Sequence, residues 1–173
     1  MKLTGSGEIA SADYKAIRWV GKTKGGKAVK ITMPVAICIT DPNFEFLEKN
    51  ETVLELEFEG CYEDEKLAAG DFTEPWELEI DDAVEAGNGE VILGVGKVSI
   101  GSSLEDLADI GLTRGGGSFR VTRELREINA DDDPGKVKDR LRYTGARPIL
   151  KINLLQWLSK TADIYPGLKT VGQ

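Results

Sequence analysis

The amino-acid sequence predicts a mainly β protein: an antiparallel β-sandwich or barrel with one flanking α-helix and a long projecting β-hairpin. Apolar and polar residues alternate with a period of two along most segments, which is typical of strands with one buried face. Turns rich in glycine, proline and aspartate separate these segments, and only one stretch carries a clear helical stripe. The 173 residues suit a single domain with a sizeable core.

The first predicted hairpin joins IRWV to AVKITM through two consecutive glycines. Val29, Ile31, Met33 and Val35 form the apolar row of its second strand, and an apolar stretch continues to Ile39. The connecting GKTKGGKA is close to the phosphate-binding pattern G-x-x-x-x-G-K-[ST], but Ala28 lacks the hydroxyl that binds magnesium. A strand-like segment follows where that pattern needs a helix, so a Gly-Gly turn is the better interpretation.

Two further strands are predicted to be apolar on one face and acidic on the other. The apolar residues are Leu54, Leu56, Phe58, Trp76, Leu78 and Ile80, and the acidic residues are Glu55, Glu57, Glu59, Glu77 and Glu79. Paired carboxylates occur in glycoside hydrolases, but several carboxylates on one strand face are far more often a solvated surface. These five residues are the candidate acidic face.

The next part of the chain is predicted to be a β-meander with glycines at its strand bends and with one long, charged hairpin. GVGKVSIG is not a dinucleotide-binding G-x-G-x-x-G, because Gly101 falls one residue too late and no βαβ unit follows, so its glycines are predicted at strand bends. The segment INADDDPGK predicts a turn between two strands that are polar on both faces near the tip. We therefore expect the hairpin 120–143 to project from the core and to need a partner surface.

The predicted helix covers Leu154 to Ile164, where apolar residues form a stripe that ends at Tyr165-Pro166-Gly167. A weaker helix is predicted in SSLEDLAD, since Ser103 and Asp106 have the spacing of a capping box. With about eight strands, these elements leave no second domain.

Charge is distributed unevenly along the chain, whose net charge is −8. Residues 41–82 hold sixteen acidic side chains against Lys49 and Lys66, whereas residues 110–151 hold ten basic side chains against six acidic ones. If the basic region of one copy docked onto the acidic region of the next, electrostatic attraction would guide their encounter and fix their relative position. The alternative is a set of solvated strand faces that happen to be unequal.

The residue inventory argues against catalysis, cofactors and metals. Histidine is absent, and Cys38 and Cys61 form no CxxC pair, so both are interpreted as small buried thiols in a reducing compartment. The run Asp131, Asp132 and Asp133 lacks the alternating ligands of a calcium loop. The sequence holds no apolar run of membrane-spanning length and no signal-peptide core at the N-terminus, and its acidity disfavours reading of nucleic acid.

The segments just described resemble the tail tube proteins of long-tailed bacteriophages and related prophage particles. VGKVSIG…DIGLTRGGGSFRVTRELREINADDDPGKVKDR…RPILKINLLQWLSK…YPGL is similar to the N-terminal half of that family, here residues 91–168. GEIASADYKAIRWVGKTKGGKAVKITMPVA…VLELEFEGCYED…EPWELEI is similar to its C-terminal half, here residues 1–80. The order of the halves is reversed, with 81–90 as a possible joining linker, so the chain resembles a circular permutant, either natural or engineered.

The resemblance implies a structural virion protein that is not an enzyme and needs no cofactor. Its subunits would form hexameric rings that stack into a hollow tail tube, assembled in the host bacterial cytoplasm and joined by other phage tail proteins, through which DNA passes without specific binding. The hairpin would contact a neighbouring subunit or ring through the following residues: Arg120, Arg123, Arg126, Asp131, Asp132, Asp133, Arg140 and Arg142. The acidic face would line the lumen, a subunit interface or the outer wall. The alternative function is a soluble β-sandwich that binds another protein and forms no tube.

Overall fold

Nine β-strands make up most of the part of the chain that the computed structural model describes, namely residues 2–5, 8–41, 53–80, 90–127, 141–155, 164–166 and 168–171. The strands are β1 (Lys2–Gly5), β2 (Lys15–Thr23), β3 (Ala28–Cys38), β4 (Leu54–Gly60), β5 (Glu77–Ile80), β6 (Glu90–Gly101), β7 (Ala108–Glu127), β8 (Leu141–Leu154) and β9 (Leu168–Val171). A short helix α1 (Asp64–Ala68) and a 3₁₀ turn at Ser11–Asp13 complete the described elements. The prediction of a mainly β protein is confirmed.

Seven of these strands form one antiparallel sheet in the order β2-β6-β7-β8-β4-β3-β5. A further pairing of β2 with β3 returns the sheet on itself, so that six strands make a closed, barrel-like ring. One edge of β3 pairs with β2 along most of its length, and the other edge pairs with β5 near its start and with β4 near its end. Closure leaves few open edges in the barrel wall.

The core fills the barrel interior with one side-chain row from each strand. Its largest fully buried members are Trp19, Phe58, Phe119, Ile17, Ile31, Met33, Leu56, Leu93, Leu150, Ile152, Leu154 and Tyr165. The predicted alternation of β4 is confirmed, since Leu54, Leu56 and Phe58 are buried. The Trp76 ring packs on Phe119 with centroids 5.7 Å apart, and Leu78 and Ile80 of β5 lie against the same core.

A bulge in β3 changes which residues face this core. Lys15 is paired with Ala36 but Ile17 with Met33, so β3 carries one residue more than β2 over this stretch. Because an extra residue reverses the alternation, Ala36 and Cys38 are buried after the bulge, while Val35 is only half-buried. The predicted inward row is therefore correct up to Met33 and wrong at Val35. Pro34 lies in the irregular stretch, where a missing N–H is tolerated.

The two glycine-rich segments have the structural roles that were predicted for them. Residues 24–27 form the turn between β2 and β3, in which Gly26 has a φ of +89° and donates its N–H to the Thr23 carbonyl at 2.9 Å. In β6, Gly96 donates its N–H to the hydroxyl of buried Thr113 at 2.9 Å, and that hydroxyl donates back to the backbone of β6. Neither segment opens a helix, so neither has the context of a phosphate-binding loop.

The helix predictions have mixed outcomes. SSLEDLAD is wrong as a helix: it forms the β6–β7 connection, in which the Asp106 carboxylate accepts the Ser103 N–H at 2.7 Å. The capping contact thus exists in a turn. The predicted helix 154–164 lies largely outside the described residues, although Leu154 ends β8 and both Ile164 and Tyr165 are buried. Helix α1 was not predicted, because five residues in an acidic loop carry no apolar period.

The first and last strands lie side by side. β1 pairs with β9 in an antiparallel two-stranded sheet, with Lys2 opposite Val171 and Gly5 opposite Leu168. The described ends of the chain are therefore neighbours in space. Among the helices in the described ranges, none has the length and apolarity of a membrane span.

Candidate assembly surfaces

The β7–β8 hairpin extends past the barrel wall as a two-stranded arm, which we define as residues 121–127 and 141–148. β6 begins at Glu90, opposite Arg120, and β4 last pairs with β8 where Glu59 lies opposite Ile149. In the described part of the arm, residues 122–126 and 142–144 are all exposed. Exposure of consecutive residues means that neither face of the arm packs on the core beyond its base at Val121 and Pro148, in agreement with the predicted projection.

The arginines that the sequence assigned to the hairpin fall along this arm and its base. Arg120 lies at the base, Arg123 is opposite Ala146, and Arg126 is directly opposite Arg142. Asp131, Asp132, Asp133 and Arg140 lie outside the described residues. Among the exposed residues 122–126 and 142–144, three are cationic (Arg123, Arg126 and Arg142) and one is acidic (Glu124), so the described part of the arm presents a locally basic surface.

A polar contact that we call the latch holds the base of the arm to the loop after β4. The Tyr143 hydroxyl donates to the Glu74 carboxylate, and the Tyr62 hydroxyl donates to the same carboxylate at 3.2 Å. The Ala146 N–H in turn donates to the Tyr62 hydroxyl at 3.2 Å. Burial, the hydrogen bond to Glu74 and the nearby Tyr62 together raise the pKa of Tyr143 above its usual value. The latch therefore holds Tyr143 as a neutral donor and orients the arm.

The three carboxylates of the candidate acidic face on β4 share two cations of the same chain. Arg147 of β8 makes two hydrogen bonds to the Glu59 carboxylate, at 2.5 and 2.7 Å, and Lys151 lies between Glu55 and Glu57. These pairs are partly exposed, and their geometry follows from the register, which places Lys151 opposite Glu57. The proximity of Glu55 raises the pKa of Lys151, the direction expected for a cation beside a carboxylate.

The acidic residues of β5 are less compensated. Glu79 forms an ion pair with Lys30 of β3 at 2.5 Å, whereas Glu77 is exposed and makes no ion pair with any described residue. Both project from the outer side of the barrel, because Leu78 and Ile80 occupy the inner side. The structure thus divides the predicted acidic face into two parts: carboxylates of β4 that pair with cations of β8, and carboxylates of β5 of which Glu77 makes no ion pair with a described residue.

Some residues of these surfaces were not found from the sequence. Arg147 and Lys151 lie far from β4 along the chain, and only their even spacing indicated that they share one strand face. Tyr62 and Glu74 carried no signal, because the latch depends on a loop whose course the residue pattern does not specify. A contact of basic with acidic segments occurs inside one chain, between β8 and β4, and the contact between copies stays a prediction.

A groove beside α1 has no catalytic constellation among the residues that line it. It measures about 590 Å³ and is lined by Ser11, Tyr14, Lys15, Pro34, Val35, Cys61, Tyr62, Glu63, Asp64, Glu65 and Ser102. Burial and the carboxylate of Glu59 raise the pKa of the Cys61 thiol, which disfavours the reactive thiolate. Cys38 and Cys61 are both free thiols, and no cluster suited to a metal ion occurs in the described ranges.

No protein family model matches the chain, and no curated protein or solved structure was found to be similar to it.

Proposed function

We propose that the protein is a structural subunit that associates with its own copies into rings, and that these rings stack into a hollow tail tube of a bacteriophage or phage-like particle. The observation that carries this proposal is the arm, which leaves a closed barrel with both faces exposed. An isolated two-stranded ribbon gains little stability from its own contacts. A partner surface gives such an arm a function, and a second copy of the chain is the partner that a ring requires.

Ring contacts would start from the strands that keep an open edge. Because β2 pairs with β3 and closes the barrel, the open edges in the described part of the seven-stranded sheet lie on the arm and on β5. A sheet that continues from one copy to the next would therefore involve these strands. A hexameric ring is the number that the resemblance implies.

Charge indicates which of the acidic residues of β4 and β5 would face the lumen of the tube. A tube wall that lets DNA slide needs carboxylates that are not cancelled by nearby cations, because only a net negative surface repels phosphate. Glu55, Glu57 and Glu59 share Arg147 and Lys151, so they suit an outer wall or a subunit interface. Glu77 of β5, which is exposed and makes no ion pair with a described residue, is the better candidate for a lumen.

The reversed segment order supports a permuted member of the tail tube family. In a permutant, the strands at the two ends must be neighbours, and β1 pairs with β9. The virion tail as the location, assembly in the bacterial cytoplasm and contacts with other tail proteins belong to the same proposal.

A second function is favoured by the closure of the barrel. A closed barrel is complete as a monomer, so the arm and the groove beside α1 could instead serve a protein-binding module that forms no tube. Such a module would remain small at every concentration.

Electron microscopy and sedimentation of the purified chain test these two functions. We expect rings or short tubes, and we expect Arg140→Glu with Arg142→Glu to reduce the assembled fraction at low salt, because the arm then loses its basic charge. Lys22→Glu with Lys24→Glu is the matched control, since it makes the same change of charge on the exposed β2–β3 hairpin. Particles no larger than a monomer, at high concentration and at every salt level, would rule out the tube.

A further inference from the structure

We propose that the outer edge of β7 in the arm is a strand-addition site for the same edge of a second copy, and that the two strands pair antiparallel about a two-fold axis at Leu125. This contact goes beyond the proposed ring, because a two-fold contact closes at two copies and needs no ring.

Among the described residues, the edge that this contact uses has no partner strand. β6 is described from Glu90, which lies opposite Arg120, and no described strand pairs with that side of β7 over residues 121–127. Seven residues of strand give an edge of roughly 20 Å. The one register shift in this part of the hairpin places the extra residue on β8, between Gly145 and Tyr143, so β7 itself stays regular. A regular, unpaired edge is a template for another strand.

The other edge of the arm is less suited to pairing. On β8, the Ala146 N–H is used by Tyr62 and the Tyr143 side chain by Glu74. Thr144, the bulge residue, donates its hydroxyl to the Glu124 carbonyl across the arm at 3.0 Å. The latch and the bulge thus leave β7 as the strand that can accept a partner.

The sequence of β7 selects one register for two identical strands. When two identical strands pair antiparallel about a two-fold axis, one residue must lie opposite its own copy. Only then do directly opposed side chains of the two strands point to the same face of the sheet. Centres at Arg123, Glu124, Arg126 or Glu127 oppose identical charges, and a centre at Val121 or Thr122 needs Arg120, which already lies opposite Glu90.

The remaining centre is self-complementary. With Leu125 opposite its copy, Glu124 of each strand lies opposite Arg126 of the other, so two ion pairs flank an apolar contact. Leu125 is 58% exposed, and Tyr143, its cross-strand neighbour in the arm, is 48% exposed. Pairing would cover this apolar pair. The charges that usually protect an edge from association here favour one specific partner.

Charge exchange combined with sedimentation velocity of the full chain tests the contact. We expect a concentration-dependent dimer whose dissociation constant rises about tenfold in Glu124→Arg and about tenfold in Arg126→Glu, since each change opposes like charges at two places. The double variant restores both pairs with exchanged signs, and its dissociation constant should return to within about threefold of the native one. Glu105→Arg, in the exposed β6–β7 turn, is the matched control and should leave the dimer unchanged.

Amide hydrogen exchange provides the second measurement. Dimerisation should slow the exchange of edge amides in residues 121–127, and dilution should reverse the effect. A monomer at all concentrations, single variants that equal the control, or a double variant that stays weak would each overturn the proposal. Edge amides already protected in the dilute monomer would also overturn it, because residues of the same chain would then occupy the edge.

Discussion

At the scale of single residues, the wall of the barrel depends on places where a side chain is missing. The indole ring of Trp19 lies directly over Gly96 of β6, and a Cβ at position 96 would come within 2.3 Å of that ring. Trp19 is fully buried, so its ring has no room to move away. Gly96 of GVGKVSIG is therefore required by packing.

We expect Gly96→Ala to lower the free energy of unfolding by about 1–3 kcal/mol, the usual effect of overpacking a core. Denaturant unfolding followed by Trp fluorescence measures this change. Gly145→Ala is the matched control, because no atom lies within 4 Å of its added Cβ. It should change the free energy of unfolding by less than about 0.5 kcal/mol. Equal effects of the two substitutions would show that Trp19 does not confine Gly96.

At the scale of elements, the latch joins two parts of the chain whose association local patterns do not predict. Tyr62 and Glu74 flank the loop that contains α1, whereas Tyr143 and Ala146 belong to the arm. A two-stranded ribbon is marginal alone, so these bonds determine the direction in which the arm leaves the barrel.

We expect a double-mutant cycle of Tyr143→Phe and Glu74→Ala to give a coupling energy of about 0.5–1.5 kcal/mol at neutral pH, measured by denaturant unfolding. The pKa of Tyr143 is raised in the folded protein, so its contribution is complete below 10.0, its ordinary value. As the pH rises above that value, the unfolded chain loses the proton first, and the contribution decreases towards the folded pKa. Tyr143→Phe should therefore weaken the decline of stability at high pH. An unchanged decline would contradict the latch.

The elements that the sequence predicted are those defined by local alternation. Leu54, Leu56 and Phe58 specify the inner face of β4 without reference to any neighbour, and the paired glycines specify the β2–β3 turn. Local alternation does not predict which distant segments of the chain pair with each other. The closure of β2 on β3 followed a predicted hairpin, but the placement of β8 beside β4, which brings Arg147 to Glu59, did not follow from any spacing.

Misread elements have physical causes as well. Ser103 and Asp106 make the contact of a capping box, yet the residues that follow pair with β6 as a strand, so tertiary pairing overrides the local helix signal. At Val35 the alternation fails because a bulge adds one residue to β3. Neither this tertiary pairing nor the bulge in β3 can be recognised from the composition or the hydrophobic period of the sequence.

At the scale of the whole molecule, much of the charge contrast between chain segments is resolved by folding. The acidic strand β4 and the basic strand β8 are neighbours in one sheet, so their charges cancel locally. What remains for association is the basic arm and the less compensated acidic strand β5. Association between copies thus depends on a few residues at the periphery, while the barrel is complete on its own.

The closeness of the chain ends permits a test of the permuted order. β1 and β9 are paired, with Lys2 opposite Val171, so a linker between the two chain ends would join neighbouring strands. Opening the chain between residues 81 and 89 would leave β5 and β6 as the new ends and would give the segment order of the tail tube proteins. Because every strand pair is retained, we expect the barrel to form with a free energy of unfolding within about 2 kcal/mol of the present chain, since the cost of loop closure changes slowly with length. Denaturant unfolding and the amide NMR spectrum measure the outcome.

A matched permutant opened in the middle of β3, between Thr32 and Met33, should not fold, because β3 pairs with three other strands. If the first permutant were unfolded as well, the two halves would not be exchangeable units, and the permuted relationship would fail.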